Sequence, residues 1–156
     1  MVRRVEDRVL LATKMVIVLS EGLALAEAVN AAAVLGLSAN ADKTELGAEG
    51  VDAAELRYGC LDRHQVPVLV ADQAQLRDLH QRVAAADGVH VVAFTEVARR
   101  SRDYDSYLAD LAHTAPEDNS YVGVPIRGPR NRVTAATKRL RLFGAAAPTE
   151  PTIGGR

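Results

Sequence analysis

The sequence predicts an α/β protein of three layers, α/β/α, in which helices cover both faces of a mixed, mostly parallel four-stranded sheet. Short runs rich in Val and Ile alternate along the chain with longer segments of helical spacing. Strands that alternate with helices form parallel sheets, because each helix carries the chain back before the next strand begins. Right-handed crossovers would place the helices on both faces of the sheet.

The first strand and the first helix are predicted within residues 14–38. The run KMVIVL, Lys14–Leu19, is short and apolar, as in a strand covered on both faces. The alanine-rich segment GLALAEAVNAAAVLGLS that follows predicts a long helix. Its expected inward stripe has helical spacing and consists of Leu23, Ala26, Asn30, Ala33, Val34 and Leu37.

A glycine-containing middle region leads to the second strand and the second helix. The segment ELRYGCLDRHQV predicts a small edge hairpin, and VPVLVA, residues 66–71, predicts the second strand. Asp72 is a suitable N-cap for the helix QAQLRDLHQRVAAAD. The inward residues of this helix recur every three or four positions: Leu76, Leu79, His80 and Val83.

The last third of the chain predicts two more strands and a basic helix. HVVAFT, residues 90–95, is the third strand, and YVGVPI, residues 121–126, is the fourth. A polar stretch with a helical patch at residues 104–111 separates them. Pro129 begins the last helix, because proline at a first turn lacks only an N–H that the helix does not need. The inward stripe of that helix consists of Val133, Ala136, Thr137 and Leu140.

Composition excludes several classes of protein. A formal net charge of −1 argues against a protein that coats nucleic acid. The single cysteine, Cys60, excludes an internal disulfide and a multi-cysteine metal site. The four histidines do not show metal-ligand spacing, so we expect neither a metal nor another cofactor.

Length and hydropathy predict the organisation of the chain and its location. The 156 residues fit one domain, expected over residues 12–143. Residues 1–11 would be an N-terminal extension, and residues 144–156 a disordered tail. No apolar run is long enough to span a membrane, and the N-terminus does not resemble a secretory signal peptide. A cytoplasmic protein is therefore expected.

Five segments of the chain have a characteristic pattern: KMVIVL, NAAAVLGLS, VPVLVADQAQLRDLHQRV, VVAFTEVARRSRDYDSYLADL and VGVPIRGPRNRVTAATKRLRLF. Over about residues 12–143 the chain resembles the uncharacterised bacterial family called domain of unknown function 2000, which in turn resembles the type II peptidyl-tRNA hydrolase fold. The most specific match is a strand, a Gly-Pro turn and a helix with a late Thr and an L-x-L end: Gly128, Pro129, Thr137, Leu140 and Leu142. The resemblance implies a type II peptidyl-tRNA hydrolase-like fold, commonly as a homodimer.

The same resemblance implies that the usual catalytic residues are missing. The hydrolases have a lysine-rich turn and a helix that begins with Gln and His, whereas this chain has GLALAEAVNAAA with Ala32 at the histidine position. A carboxylate and an arginine are expected near the end of the third strand, and Glu96 and Arg99 match them. Peptidyl-tRNA hydrolysis is therefore not expected.

The ends of the strands indicate where a ligand would bind, because open α/β sheets bind ligands beyond the carboxyl ends of their strands. This rule selects Ser20–Glu21, Ala71–Asp72, Thr95–Glu96 and Arg127–Gly128. The expected ligand contacts are Asn30, Thr95, Glu96, Arg99, Arg127 and Arg130, with Gly128 allowing close approach of the backbone.

Two functions are compatible with this site. The first is a protein that binds a small polar or anionic ligand, the anion held at the start of the last helix between Arg127 and Arg130. The second is a diverged hydrolase or transferase that acts on an ester or amide, possibly linked to tRNA. In that enzyme Glu96 is the candidate catalytic base, and Asn30 or Arg99 stabilises the oxyanion.

Other interpretations of the same residues remain open. The Gly-Pro turn could simply begin a helix, and Glu96 could form a surface salt bridge to Arg99 or Arg100. The basic helix could make a weak contact to RNA along Arg130, Arg139 and Arg141, and its affinity would then depend on salt. The alanine-rich helix could pack against a second copy of the chain in a pure assembly module.

Overall fold

The computed structural model describes residues 11–39 and 45–145. The extension predicted for residues 1–11 and the tail predicted for residues 144–156 lie almost wholly outside these residues. The described strands are β1 Thr13–Ser20, β2 Gly50–Val51, β3 Arg57–Gly59, β4 Val68–Ala71, β5 His90–Val91, β6 Phe94–Thr95, β7 Tyr121–Pro129 and β8 Arg141–Leu142. The helices are α1 Leu25–Ala39, α2 Gln73–Ala84, α3 Glu96–Arg100, α4 Tyr104–Ala112 and α5 Arg130–Thr137, with a short 3-10 turn at Pro116–Asp118.

Six of these strands form one mixed sheet in the order β5-β7-β1-β4-β8, with β6 also paired to β7. Only β1 and β4 pair in parallel, and the other four pairs are antiparallel. The prediction of a mostly parallel four-stranded sheet is wrong in both respects. After β6 the chain returns through α3 and α4 to the same end of the sheet, where the Glu96 N–H donates to the Ser120 carbonyl. The chain therefore enters β7 in the direction opposite to that of β6.

The sheet lies between two cores, and this arrangement confirms the predicted layers of helix, sheet and helix. Alternate residues of β1 point to opposite faces, because side chains alternate along a strand. Val16 and Val18 pack with α2 and α5, whereas Ile17 and Leu19 pack with α1.

The predicted inward face of α1 is wrong. The buried residues of the helix are Ala28, Ala31, Leu35 and Ala39. Leu37, which was expected inside, is 80% exposed, and Asn30 is also exposed. Apolar residues lie on nearly every side of this helix, so its hydrophobic pattern does not distinguish the buried face from the exposed one.

The prediction for α2 is confirmed. Asp72 is the N-cap, its side chain accepts from the Gln75 N–H, and the Gln75 side chain accepts from the Asp72 N–H in return. This reciprocal pair satisfies N–H groups that a helix start leaves without partners. Leu76, Leu79 and Val83 are buried, as predicted.

The remaining differences concern short elements. The third predicted strand is divided into β5 and β6, and the following stretch contains α3 before the predicted helical patch, which is α4. The segment predicted as a hairpin, residues 55–66, contributes only β3, which pairs with the earlier β2 in a separate two-stranded sheet. The L-x-L end pairs with β4 as β8 and so adds an edge strand to the sheet.

His80 predicts a pH dependence of stability. Its Nδ1 and the Tyr121 hydroxyl are hydrogen-bonded at 2.8 Å, and burial lowers the pKa of His80. The unfolded chain then binds a proton near pH 6.5 that the folded chain binds only at lower pH, so stability falls as the solution is acidified through that window. Thermal unfolding from about pH 7.5 to 5 should show this slope. His80→Gln should flatten it, whereas exposed His90→Gln should leave it unchanged. An unaltered slope in His80→Gln would contradict the assignment.

Candidate functional site

The sheet places the predicted site residues at two opposite ends. In the antiparallel register of β1 and β7, Thr13 pairs with Pro129 and Leu19 pairs with Gly123. The carboxyl end of β7 therefore lies beside the start of β1. Arg127, Gly128 and Arg130 are at that end, whereas Glu96 lies at the end where β1 finishes. The prediction that these residues line a single pocket is wrong.

Arg130 and Gly128 have structural partners at their end of the sheet. The Arg130 Nε donates to the Leu11 carbonyl at 2.8 Å, and its backbone N–H donates to the Ala12 carbonyl at 2.9 Å. A Cβ on Gly128 would lie 3.0 Å from the Gly88 carbonyl oxygen. Gly128 thus allows a neighbouring segment of the chain, rather than a ligand, to approach closely.

A cleft of about 290 Å³ lies between α1 and the segment formed by α3 and α4. Leu35 and Phe94 contribute to its apolar lining, and Ser38 and Ser101 contribute hydroxyl groups. Tyr104 and Tyr107, at the start of α4, also line the cleft. Such a combination of apolar walls and a few polar groups is typical of small-molecule sites.

A charged cluster joins α3 to α1, and its Arg99 directly follows Ala98, which lines the cleft. Two guanidinium nitrogens of Arg99 lie 2.8 Å from Glu96 Oε2, and a third lies 3.4 Å from Glu27 Oε1. The hydrogen bond and the charge of Glu96 raise the pKa of Arg99. The predicted pairing of Glu96 and Arg99 is present, and it extends to Glu27, which the sequence did not indicate.

Asn30 lies near this charged cluster on the surface of α1. It is three residues after Glu27 and four before Val34, so the three share one side of the helix. Glu27 contacts Arg99, and Val34 lines the cleft. Asn30 is therefore placed beside the cleft, although it is exposed and not the buried amide that its alanine-rich surroundings suggested.

Thr95 lies directly before the charged cluster and carries an unsatisfied polar atom. Within the described residues its hydroxyl is buried and has no hydrogen-bond partner, and the same holds for Asn119 Oδ1. Thr95 pairs with Tyr121 where β6 meets β7. Because buried polar atoms nearly always have partners, each of these two atoms is a position where a water or a ligand group could bind.

A second polar network closes the sheet end beside Thr95. The Gln73 side chain donates to the Ser20 hydroxyl and the Tyr121 carbonyl, and it accepts from the Tyr121 N–H at 2.8 Å. Ser20 was selected by the strand-end rule, but Gln73 was not predicted. These bonds fix the start of β7 against α2. They therefore stabilise the strand that pairs with Thr95.

A ring contact and a helix cap hold the aromatic side of the cleft in place. Tyr104 and Tyr107 form an edge-to-face pair with ring centroids 5.5 Å apart. The Asp103 carboxylate caps α4 by accepting from the Ser106 N–H and hydroxyl, and these bonds lower the pKa of Asp103. Tyr104 is 72% exposed, so its ring is accessible to a molecule that enters the cleft.

In the part of the chain that the structure describes, no group of three or more His, Cys, Asp or Glu residues has an arrangement suited to a metal ion. None of the helices within the same residues is long and apolar enough to cross a membrane.

Comparisons with known proteins bear on the family and the fold. A family model described as a protein of unknown function, DUF2000, matches residues 13–143. A protein of unknown function from Agrobacterium tumefaciens has a similar solved structure, with 25% sequence identity and a TM-score of 0.75. The similarity covers 85% of this chain and 98% of that protein. No curated protein matches the chain. Because the family model spans most of the sequence, the chain belongs to the family DUF2000.

Proposed function

We propose that this protein binds a small molecule in the cleft between α1 and α3–α4. The molecule has an apolar, preferably aromatic, body and an amine or hydroxyl group at one end. The observation that carries this proposal is an apolar cleft of about 290 Å³ between α1 and α3–α4, the same elements that the Glu27–Arg99–Glu96 cluster joins. That volume is near the lower end for small-ligand sites.

The charges of the cluster favour an amine over an anion. One guanidinium lies between two carboxylates, so one negative charge of this group of three is not neutralised by Arg99. Arg99 is closer to Glu96 than to Glu27, and the 3.4 Å contact to Glu27 is the one that a ligand amine would more easily replace. The anionic ligand predicted from the sequence would need Arg127 and Arg130, which lie at the other end of the sheet.

The tyrosines favour an aromatic or cationic ligand. Ring faces attract cations, and aromatic pairs contribute about 0.5–1.5 kcal/mol beyond the area that they bury. Tyr104 has an exposed ring next to the Asp103 carboxylate at the start of α4. An arylalkylamine could place its ring against Tyr104 and its amine near Glu27 and Glu96.

A matched set of ligands and variants tests this proposal. Calorimetric titration with phenethylamine, its hydroxyl analogue phenethyl alcohol and its acid analogue phenylacetate should show binding in that order. Glu96→Gln and Tyr104→Ala should each weaken amine binding about five- to tenfold, as expected for one partly exposed ionic or cation–π contact. Glu45→Gln is the control, because Glu45 also pairs with an arginine but on a different segment. Tighter binding of phenylacetate, or equal affinities in all variants, would refute the proposal.

Three further predictions concern the role of Glu96, a homodimer and a contact to RNA. Arg99 holds the Glu96 carboxylate, and this pairing supports a binding role for Glu96 more than a role as catalytic base. A homodimer is supported by Leu25, Val29 and Leu37, which are exposed apolar residues spaced along α1. The weak RNA contact predicted along Arg130, Arg139 and Arg141 has less support, because the Arg130 Nε donates to the Leu11 carbonyl and Arg141 pairs with Glu21.

A further inference from the structure

Thr13, His64 and Asp62 form a hydrogen-bonded chain at the end of the sheet opposite to Glu96. The Thr13 hydroxyl lies 2.9 Å from His64 Nε2, and His64 Nδ1 lies 2.7 Å from Asp62 Oδ1. The Asp62 carboxylate also accepts the backbone N–H of His64 at 2.8 Å. A hydroxyl, an imidazole and a carboxylate are thus joined in the order that nucleophilic acyl transfer requires.

The carboxylate determines the direction of the hydrogen bonds. An ionised carboxylate only accepts, so His64 Nδ1 carries the proton and donates it to Asp62. In the neutral imidazole Nε2 is then a free acceptor, which receives the Thr13 hydroxyl proton. The side chain of His64 is only 2% exposed, so its orientation and tautomer are held away from water.

The strand register places a cation on the same face of the sheet as Thr13. Thr13 begins β1 and is half-buried. Met15 pairs with Arg127 across β1 and β7, and residues two apart on a strand share a face, so Arg127 lies on the same face of the sheet as Thr13. A guanidinium near the nucleophile is suited to stabilising a developing oxyanion.

We propose that Thr13 is a nucleophile for acyl transfer, with His64 as general base, Asp62 as the positioning carboxylate and Arg127 as the oxyanion partner. The substrate class is an ester with a small acyl group. Thr13 Oγ1 attacks the ester carbonyl carbon while its proton passes to His64 Nε2. The bond from the carbonyl carbon to the alcohol oxygen then breaks, and the departing alcohol takes the proton from His64. An acyl ester on Thr13 remains.

Water completes the cycle. It attacks the acyl carbon and gives a proton to His64, the bond between that carbon and Thr13 Oγ1 breaks, and Thr13 recovers its proton. The net reaction is an ester plus water giving an acid plus an alcohol, so neither an oxidant nor another co-reactant is needed. This site is separate from the ligand cleft, whose lining contains none of these residues.

The experiment uses the full chain with Cys60→Ala, because Cys60 is exposed and its thiol would react with the probe. The probe is p-nitrophenyl acetate. Release of nitrophenol is followed by absorbance, and peptide mapping after an acid quench locates the acetyl group. Hydroxylamine removes acetyl esters but not acetyl amides, so it separates Thr13 from acetylated lysines.

The expected result is acetylation of Thr13 and turnover that depends on all three residues. Thr13→Val should abolish the label and lower the rate at least ~100-fold, and Asp62→Asn should lower the rate at least ~100-fold with the hydroxyl still present. Thr13→Ser should retain labelling. Thr134→Val is the control, since Thr134 is bonded to Lys14 near the same sheet end and should have no effect.

Several outcomes would overturn the proposal. One is a label confined to lysines, and another is an unchanged rate in Thr13→Val. If Thr13→Val fails to fold, as judged by circular dichroism, Asp62→Asn and Thr13→Ser decide the matter. Unchanged turnover in a folded Asp62→Asn protein, or loss of labelling in a folded Thr13→Ser protein, would show that the three residues only attach the loop at His64 to β1.

Discussion

Replacing Gly123 by alanine is expected to destabilise the protein by about 3 kcal/mol or more, at the upper end of what overpacking costs. A Cβ at this position would lie 2.7 Å from the Val18 carbonyl oxygen and 2.9 Å from side-chain carbons of Leu19 and Leu35. Side chains can rotate away, but Val18 is a central residue of β1, and its carbonyl moves only if the strand moves. Gly123 thus permits β7, β1 and α1 to pack closely.

Gly36→Ala is the matched control for this prediction. Gly36 lies in α1, and a Cβ there would meet nothing within 4 Å. Alanine is the better helix former, so this variant should be more stable by about 0.5–1 kcal/mol. Urea unfolding followed by circular dichroism measures both changes. Equal effects of the two substitutions would show that the contact with Val18 does not restrict residue 123.

Local patterns predicted most of the elements but not the direction of β7. The apolar runs gave the strands, and Asp72 with the spacing of Leu76, Leu79 and Val83 gave α2 and its buried face. A strand pattern reads the same in either direction, so the sequence could not show that β7 runs against β1. That direction depends on where the chain leaves α4, which is a property of tertiary packing.

The same limit explains which of the predicted site residues lie together. Thr95, Glu96 and Arg99 lie within five residues of one another, and the strand-to-helix boundary brings them together whatever the sheet topology is. Glu27 joins them through a contact between α1 and α3 that no local pattern shows. Arg130 was assigned to the same pocket only because β7 was taken to be parallel.

The chain formed by Thr13, His64 and Asp62 was missed for a related reason. Thr13 is separated from His64 by 51 positions, and the two meet only because the loop after β3 returns to the start of β1. The short spacing of Asp62 and His64 was the available indication, since a carboxylate two residues before a histidine can bond both its backbone N–H and its ring. A partner hydroxyl cannot be identified without the fold.

Replacing Leu35 by alanine is expected to destabilise the protein by about 2–5 kcal/mol, the usual range for a fully buried leucine. The Leu35 side chain is 0% exposed and packs between α1 and the sheet. It also lines the proposed ligand cleft. Its loss removes contacts with the core and leaves a cavity that the rigid sheet cannot fill.

Leu37→Ala separates burial from helix propensity, because Leu37 is on the same helix and is 80% exposed. Both substitutions exchange leucine for alanine within α1, so their difference in the free energy of unfolding measures the environment of Leu35. We expect Leu37→Ala to change stability by less than about 0.5 kcal/mol, as at other surface positions. If both variants lost equal stability, α1 would have to pack through the face that contains Leu37. The cleft between Leu35 and α4 would then be lost, together with the ligand proposed to occupy it.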